Sequence, residues 1–349
     1  MNEMLENILD KFRNLNLNKL IIVLGVVAII IIVIFILWWN NKIEIFNNNG
    51  DTGSDEPKNV SSIAGLECEN QAQRPISVMM ASDPEARPLS GIGQADMVFE
   101  MPVTPSPDQV TRMMAVFQCE KPAEIGSVRS ARRDFVPLAA GLNSIYAHWG
   151  GEHGILDELN KKIIDNLDAI PNPGDAFIRK AGVKAPHNGF TSYDKLIKSS
   201  ELLKYNLANN FSGYPHDSGK PKRNLSNLSD TIDIDYASPY NVRWTFNQDT
   251  NIYLRTRGGK AEIDKSTNQQ VSSSVVIVMK TNSTFDYDQY VNVRVTGEGE
   301  AQIYQNGVVI NGKWKKDAAT LGSKLFFYDE GNKEIKFLPG KIWVEITTS

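Results

Sequence analysis

Residues 87–103, RPLSGIGQADMVFEMPV, begin the most informative part of the sequence, which continues with TRMMAVFQCEKPAEIGSVRSARRDF (111–135) and NSIYAHWGG (143–151). The length and composition of three apolar runs in this part predict buried strands, at residues 95–103, 110–118 and 144–147. Five polar or charged residues lie at the edges of these runs: Glu100, Arg112, Arg129, Arg132 and His148. Loops held by a rigid sheet often carry binding and catalytic residues. We therefore expect the functional site here.

The charge balance argues against nucleic-acid binding. The 349-residue chain has 37 basic and 41 acidic residues and a net charge of −4 at pH 7. Beyond residue 62 the balance is 32 basic to 34 acidic residues. A nucleic-acid-binding domain usually carries a basic excess. We expect no nucleic-acid partner, and nothing in the sequence points to a cofactor.

Residues 20–39, LIIVLGVVAIIIIVIFILWW, are uncharged and predominantly apolar. A helix of about 20 such residues matches the hydrocarbon core of a bilayer. Three basic residues precede the run and one follows it closely, so the positive-inside rule predicts a cytoplasmic N-terminus. No small-x-small cleavage motif follows Trp39. We expect a cytoplasmic segment (1–19), an uncleaved signal anchor (20–39) and an extracytoplasmic remainder (40–349).

The remaining sequence predicts an α+β protein with two folded domains. Residues 40–62 are rich in Asn, Gly, Ser and Asp, which is typical of a flexible linker. In residues 63–215, strand-like and helix-like stretches alternate, which predicts a mixed α/β domain. A polar connector, 216–235, precedes residues 236–349. These last residues show short β-type runs separated by turn signals such as Asn311-Gly312, and predict a small all-β domain.

Several patterns indicate structure rather than chemistry. Asp134 precedes a helix-like stretch at 135–142 and is a candidate N-cap. Trp244, Trp314 and Trp343 could form a sugar-stacking platform, but the alternating pattern of their strands favours a place in the core. Cys68 and Cys119 stand just outside two predicted strands. They form a disulfide if those strands are neighbours, and otherwise remain two buried thiols.

The motif SVRSAR (127–132) suggests an anion site. If the turn is helical, its three-residue spacing places Arg129 and Arg132 on one face, together with Ser130. Guanidinium groups bind phosphate and carboxylate, and Arg112 could add a third. The alternative is that each arginine pairs with a carboxylate of the fold, such as Glu100, Asp96 or Asp134.

The histidines and Glu100 allow other chemistry. His148 and His153 lack the i, i+4 spacing of a metal-binding helix, so we expect no metal site. His187 in APHNG (185–189), beside Asn188, is either a ligand contact or a structural histidine that donates to a backbone carbonyl. Glu100 lies in an apolar strand. It could be a general acid with a raised pKa, or it could pair with an arginine.

The blocks RPISVMM, RPLSGIGQADMVFEMPV, TRMMAVF, EIGSVRSAR, HWGG and KAPHNGFTS, in this order, resemble the YerB-like lipoprotein family, domain-of-unknown-function family 3048. The resemblance runs from about residue 75 to the C-terminus, and SVRSAR and APHN are its most specific parts. It implies an envelope protein with an N-terminal domain and a β-rich C-terminal domain. The family tends to show a Gly-Lys-Pro-His-x-Asp turn, where this chain has GGKAEID (258–264) with Glu262 at the histidine position.

Three hypotheses follow. The first is a membrane-anchored envelope module that binds a cell-wall component or a wall-synthesis protein. Its contacts would come from these residues: Arg112, Arg129, Ser130, Arg132, His148, His187 and Asn188. The second is an envelope enzyme that acts on a glycan or phosphorylated substrate through Glu100 or His148, with an arginine clamp. The third is that the polar residues only hold loops together.

Overall fold

The computed structural model describes residues 60–217, 228–286 and 289–348. The predicted cytoplasmic segment and signal anchor, and the linker through residue 59, lie outside the described residues. In the part that is described, no helix is long and apolar enough to cross a membrane. By their contacts, the described residues belong to one compact unit.

Residues 60–217 contain eight strands and three α-helices. The strands are β1 (Ile76–Ala81), β2 (Met97–Pro102), β3 (Thr111–Phe117), β4 (Ile125–Gly126), β5 (Ile145–His148), β6 (Asn166–Asp168), β7 (Ile178–Arg179) and β8 (Gly189–Thr191). The helices are α1 (Val136–Gly141), α2 (His153–Asn160) and α3 (Tyr193–Leu202). Short 3-10 turns occur at Pro84–Ala86, Ile92–Gln94, Arg133–Phe135 and Pro173–Asp175.

The described residues after 228 form strands only. They are β9 (Thr231–Ile234), β10 (Val242–Asn247), β11 (Ile252–Arg257), β12 (Lys260–Ala261), β13 (Ser272–Ser273), β14 (Val275–Thr281), β15 (Ser283–Asp286), β16 (Tyr290–Val293), β17 (Gly297–Gln305), β18 (Val308–Lys316), β19 (Phe326–Asp329) and β20 (Ile342–Thr348). Strand β9 lies inside the predicted connector, because Ile232 and Ile234 alternate with acidic residues and are buried.

One ten-stranded sheet joins the two predicted domains. Its order is β19-β18-β17-β14-β20-β2-β3-β1-β5-β6. The last strand, β20, lies parallel to both β14 and β2 and connects the two halves. A second sheet contains β9 to β12 with β13 paired to β11, and β4, β8 and β7 form a small third sheet. The regions 63–215 and 236–349 are therefore distinct in sequence but share one sheet.

Apolar side chains cover both faces of the large sheet. Met79 belongs to one core cluster, whereas its neighbours Val78 and Met80 belong to the other. This division follows the two-residue period of a strand. Trp314 packs in the first cluster and Trp244 and Trp343 in the second, so the three tryptophans are core residues, as the alternation predicted.

Two local features differ from the sequence prediction. Asp134 does not cap α1, because its carboxylate Oδ2 accepts a hydrogen bond from the backbone N–H of Val293 at 2.8 Å. The predicted Asn311-Gly312 turn lies inside β18. A Cβ at Gly312 would lie 2.0 Å from the carbonyl oxygen of Tyr328, so only glycine permits the close approach of β19.

A disulfide ties the start of the folded unit to the large sheet. Cys68 and Cys119 are bonded, with their Cα atoms 5.5 Å apart. Cys119 lies two residues beyond the end of β3, which pairs with β1. The neighbouring strands thus bring the two thiols together.

Candidate functional site

An extended segment of the SVRSAR motif separates the carboxyl ends of β1 and β5. These strands pair in parallel only up to Val78 and Ala147. Beyond that point, the N–H of Arg129 donates to the carbonyl of Met79, and the N–H of Trp149 donates to the carbonyl of Arg129. The segment is therefore extended, not helical, and the first helical turn begins only at Arg133. Ligands often bind outside the carboxyl ends of strands in α/β sheets.

Arg112 and Arg129 meet at Asp83 beside this segment. Arg112 lies opposite Ala81 in the β1–β3 ladder, and Asp83 follows Ala81 by two residues. The Nη1 of Arg112 donates to Oδ2 of Asp83 at 3.0 Å, and the Nε of Arg129 is 4.0 Å from the same oxygen. The side chains of Arg112, Asp83 and Arg129 are 7%, 15% and 17% exposed, so Asp83 and Arg129 are partly accessible to solvent and Arg112 is buried behind them.

Arg132 completes the group. Its guanidinium lies 4.7 Å from the ring centroid of Tyr290 and donates through Nη1 to the carbonyl of Ala131. No carboxylate of the described residues forms a salt bridge with Arg132. We call Arg112, Arg129, Arg132 and Asp83 the arginine cluster.

The arginine cluster has an excess of positive charge and unused donors. Burial lowers the pKa of Arg112 to about 10, and the charges of Arg129 and Arg132 add to this effect while Asp83 opposes it. Burial also lowers the pKa of Arg129, and Asp83 again opposes the shift. The Nε atoms of Arg112, Arg129 and Arg132 are buried and have no hydrogen-bond partner among the described residues. Buried donors without a partner are rare and costly, so this group is suited to receive acceptors from a ligand.

The APHN loop borders the arginine cluster. The Nη1 of Arg129 donates to the carbonyl of Pro186 at 3.3 Å. His187 is half-buried, and its Nδ1 has no partner among the described residues. Nδ1 of His187 therefore makes no hydrogen bond to a backbone carbonyl of the described residues. Burial lowers the pKa of His187; the charge of Asp83 opposes this shift, while that of Arg129 adds to it. The imidazole is therefore close to both groups.

Asn188 and Ser130 were predicted as ligand contacts but are not members of the arginine cluster. Oδ1 of Asn188 accepts from Nη1 of Arg179 at 2.8 Å. The guanidinium of Arg179 covers the ring of Trp149 at 4.0 Å. Ser130 is half-buried between the two arginines of the motif. The hydroxyl of Ser127, at the start of the motif, is buried and has no hydrogen-bond partner among the described residues.

Glu100 lies elsewhere, in a wholly buried ion-pair network. Its Oε2 accepts from Nη2 of Arg255 and from Nη2 of Arg257, both at 2.5 Å. Both arginines also pair with Glu262, and Arg255 pairs with Glu345 at 3.1 Å. We call these five residues the buried network. Glu100 and Glu345 are direct neighbours in the parallel pairing of β2 with β20.

The surroundings of Glu100 favour its ionised form and keep it away from solvent. Burial alone would raise its pKa, but the charges of Arg257 and Arg255 outweigh burial and lower the pKa to about 2. Its side chain is 0% exposed. Of the two alternatives for Glu100, the one with a raised pKa is therefore not favoured. The expected pairing with arginine is present, but its partners are Arg255 and Arg257 rather than the arginines of the SVRSAR motif.

His148 is also inaccessible. Its ring is 0% exposed, with Nδ1 2.9 Å from the carbonyl oxygen of Gly150 and Nε2 3.2 Å from Oδ1 of Asn166. Burial lowers its pKa, which the nearby carboxylate of Asp168 opposes. The structure does not bring His148 into the arginine cluster, although it is only three residues from Gly151, which bridges to the SVRSAR segment.

Sequence reasoning missed Asp83 and the arginines of β11. The signal for the arginines was present. Tyr253, Arg255 and Arg257 alternate along β11, so they share a face, and the apolar ring at Tyr253 marks it as the inner one. Buried arginines require buried carboxylates. Asp83 had no comparable signal, because it follows a strand in a turn.

Comparison with known proteins gives the family. The N-terminal domain of the family described as protein of unknown function (DUF3048) matches residues 63–206, and its C-terminal domain matches residues 232–344. The chain belongs to this family. The resemblance inferred from its motifs is confirmed.

A relative from Bacillus subtilis (strain 168) carries the name "Putative lipoprotein YerB". It is 30% identical over 290 residues, which cover 81% of this chain and 85% of the relative. The crystal structure of the YerB protein from Bacillus subtilis is similar, with a TM-score of 0.74 at 28% identity. The match covers 84% of this chain and 97% of that chain.

The structure shows what surrounds Glu262, which stands where the family tends to have a histidine. Its carboxylate pairs with both Arg255 and Arg257, and the side chain is 6% exposed. Burial would raise the pKa of Glu262, but the charges of Arg255 and Arg257 outweigh it and lower the pKa. The residue at this position is thus part of the buried network.

Proposed function

We propose that this protein is a membrane-anchored, extracytoplasmic module of the cell envelope that binds an anionic group of a cell-wall component. The arginine cluster is the binding site. The observation that carries the proposal is an imbalance of charge. Arg112 and Arg129 share the single carboxylate of Asp83, Arg132 has no salt bridge with a carboxylate of the described residues, and the Nε of each arginine is buried and unpaired.

The chemistry of the arginine cluster favours anions. A guanidinium presents donors in a planar fork that matches carboxylate and phosphate oxygens. Partial burial strengthens such contacts because the local dielectric is lower than that of water. The aromatic ring of Tyr290 restrains Arg132 by a cation–π contact, which reduces the entropy lost when a ligand binds.

Three observations support the location. The relative is named a lipoprotein, which suggests attachment to a membrane. In this chain the apolar run 20–39 would replace a lipid anchor. The disulfide between Cys68 and Cys119 is of a kind that persists in oxidising compartments. We propose a cytoplasmic N-terminus and an extracytoplasmic folded unit.

The alternative function, an envelope enzyme, requires Glu100 or His148 as an acid–base group. Glu100 and His148 are both 0% exposed, and a general acid must come within hydrogen-bond reach of its substrate. A binding role needs neither residue.

Ligand-dependent melting of the purified full chain tests this function. The ligands are muropeptides, wall teichoic-acid fragments and sugar phosphates at fixed salt, and the variants are Arg129→Ala and Arg132→Ala. A ligand at about 100 times its Kd should add about 2.7 kcal/mol to the free energy of unfolding. The control is Arg243→Ala, because Arg243 forms an exposed pair with Asp233 on another strand. A shift that persists in the cluster variants, or no shift with any wall ligand, contradicts the proposal and points to a protein partner.

Protease accessibility tests the location. In intact cells with a permeable wall, an external protease should cleave the folded unit and leave the N-terminal segment protected. Complete protection of the folded unit would contradict the proposed topology.

A further inference from the structure

The charge of the arginine cluster points to a particular class of anion. Three guanidinium groups and one carboxylate leave two uncompensated positive charges. Arg132 follows Arg129 by three residues in the same segment, has no salt bridge with a carboxylate of the described residues, and its charge acts on both Arg112 and Arg129. A ligand with one negative charge would compensate only half of this excess.

The number of acceptors points the same way. Asp83 hydrogen-bonds Arg112 at 3.0 Å, but its oxygen is 4.0 Å from the Nε of Arg129, beyond hydrogen-bond distance. One carboxylate has two oxygens in a single plane and is most often bound by one guanidinium fork. A phosphate monoester has three terminal oxygens in a tetrahedral arrangement and a charge of about −1.5 to −2 near pH 7. It can accept from three forks that approach from different directions.

Resting on the proposed function, we infer that the arginine cluster recognises a phosphate monoester in preference to a carboxylate or a sulfate ester. The phosphate would accept from the free Nε–H groups of Arg112, Arg129 and Arg132. Such a group occurs on soluble sugar phosphates and at the phosphorylated ends of wall polymers. Both sources present the same chemistry.

Three ligands that share one sugar test the inference. Glucose 6-phosphate, glucose 6-sulfate and glucuronate carry a dianion, a tetrahedral monoanion and a planar monoanion. Isothermal titration of the full chain at fixed low salt and about pH 7.5, where the phosphate is mainly dianionic, compares them directly. We expect glucose 6-phosphate to bind at least about tenfold more tightly than the other two, a difference of about 1.4 kcal/mol.

Lysine variants make the test specific. Arg129→Lys and Arg132→Lys keep the charge and remove the fork, so they should weaken phosphate binding without unfolding the protein. Their melting curves without ligand show whether the fold is kept. The control variant Arg243→Ala should bind glucose 6-phosphate like the wild type.

The outcomes separate the inference from the proposed function. Equal binding of the three ligands, lost in Arg129→Lys, would overturn the phosphate preference and leave the anion site intact. No binding of any of the three would overturn both. Phosphate binding that is unchanged in all the cluster variants would show that it occurs at another site and would also overturn both.

A competition arm identifies the source of the phosphate. Purified wall polymer should displace labelled glucose 6-phosphate, and phosphatase treatment, which removes monoester ends and leaves diesters, should abolish the displacement. Displacement that survives the treatment would contradict recognition of a monoester.

Discussion

The buried network and the arginine cluster are built from the same residue types in opposite proportion. In the buried network, two arginines face three glutamates, and all five side chains are nearly or fully inaccessible. The arginine cluster contains three arginines and one aspartate, and two of its side chains, those of Asp83 and Arg129, are partly exposed to solvent. Arginine beside carboxylate is therefore not by itself a sign of function. The proportion of charges and the access of solvent distinguish the two groups.

The unpaired nitrogens show the same contrast. The Nε of Arg255 in the buried network also lacks a partner, but Trp343 and Trp244 cover its guanidinium at 4.1 and 5.2 Å from their ring centroids. A ligand cannot reach it without unfolding the sheets. The unpaired Nε atoms of the arginine cluster are also buried, but the side chains of Arg129 and Arg132 are partly exposed to solvent.

The largest expected effect is on stability, from Arg257→Ala in the buried network. Removal of this guanidinium leaves Glu100 without one of its two cationic partners in an inaccessible site. Breaking a buried pair in this way costs about 3–5 kcal/mol. Urea unfolding measures the loss, and the exposed Arg243→Ala should leave the midpoint nearly unchanged. A similar midpoint for Arg257→Ala and the wild type would refute the structural role.

The next effect is on binding, from Arg129→Ala in the arginine cluster. A hydrogen bond to a charged group is worth about 1.5–3 kcal/mol, so the affinity for a phosphate monoester should fall roughly 10- to 150-fold. Titration calorimetry measures the affinity and urea unfolding measures the stability. A large loss of stability with unchanged affinity would place Arg129 with the structural arginines.

A smaller effect is expected from Asp83→Asn. Asp83 occupies part of the anion position and repels an incoming anion, while asparagine keeps an acceptor for Arg112. Removing this partly exposed charge is worth about 1 kcal/mol, so phosphate affinity should rise about fivefold. Weaker binding in this variant would mean that Asp83 supports the ligand and does not compete with it.

The smallest effect is a change in pH dependence, from Glu345→Gln in the buried network. Burial raises the pKa of Glu345, and the charge of Glu100 adds to the rise while Arg255 and Arg257 oppose it. The folded state therefore holds this proton more tightly than the unfolded state. As the pH rises from the unfolded pKa through the folded one, the folded state loses stability.

Glutamine remains neutral and keeps an acceptor for the indole N–H of Trp244, which Oε1 of Glu345 accepts at 2.9 Å. Glu345→Gln should therefore gain stability relative to the wild type as the pH rises from the unfolded pKa of about 4.3 through the raised folded pKa. Urea unfolding at a series of pH values measures the free energy of unfolding of both proteins. If the two curves of this free energy against pH ran parallel across the range, they would contradict the raised pKa of Glu345.

Much of the fold followed from the sequence because apolar periodicity determines strands. Strands β2, β3 and β5 lie within about two residues of their predicted positions. The shared sheet could not be predicted, since it depends on β20 pairing with β2 across some 240 residues of chain. Local patterns carry no information on such pairing.

The candidate site was predicted in part for a similar reason. The SVRSAR motif identified Arg129 and Arg132. The rule that functional residues often lie at the ends of strands identified Arg112. The same rule placed Glu100 among the candidate functional residues, although it lies in the buried network. The sequence of an apolar strand does not reveal that arginines from β11 face it. The rule also missed Asp83, whose role depends on the ladder that sets Arg112 opposite Ala81.

The most direct test observes the arginine Nε–H groups themselves by NMR in the full chain with isotope-labelled arginine, titrated with glucose 6-phosphate. Single arginine substitutions assign the resonances. We predict large shifts for Arg112, Arg129 and Arg132 as their free Nε–H groups gain an acceptor, with Arg255 and Arg257 unchanged. Unmoved resonances of the arginine cluster at saturating ligand would contradict the claim that its excess charge is a binding site.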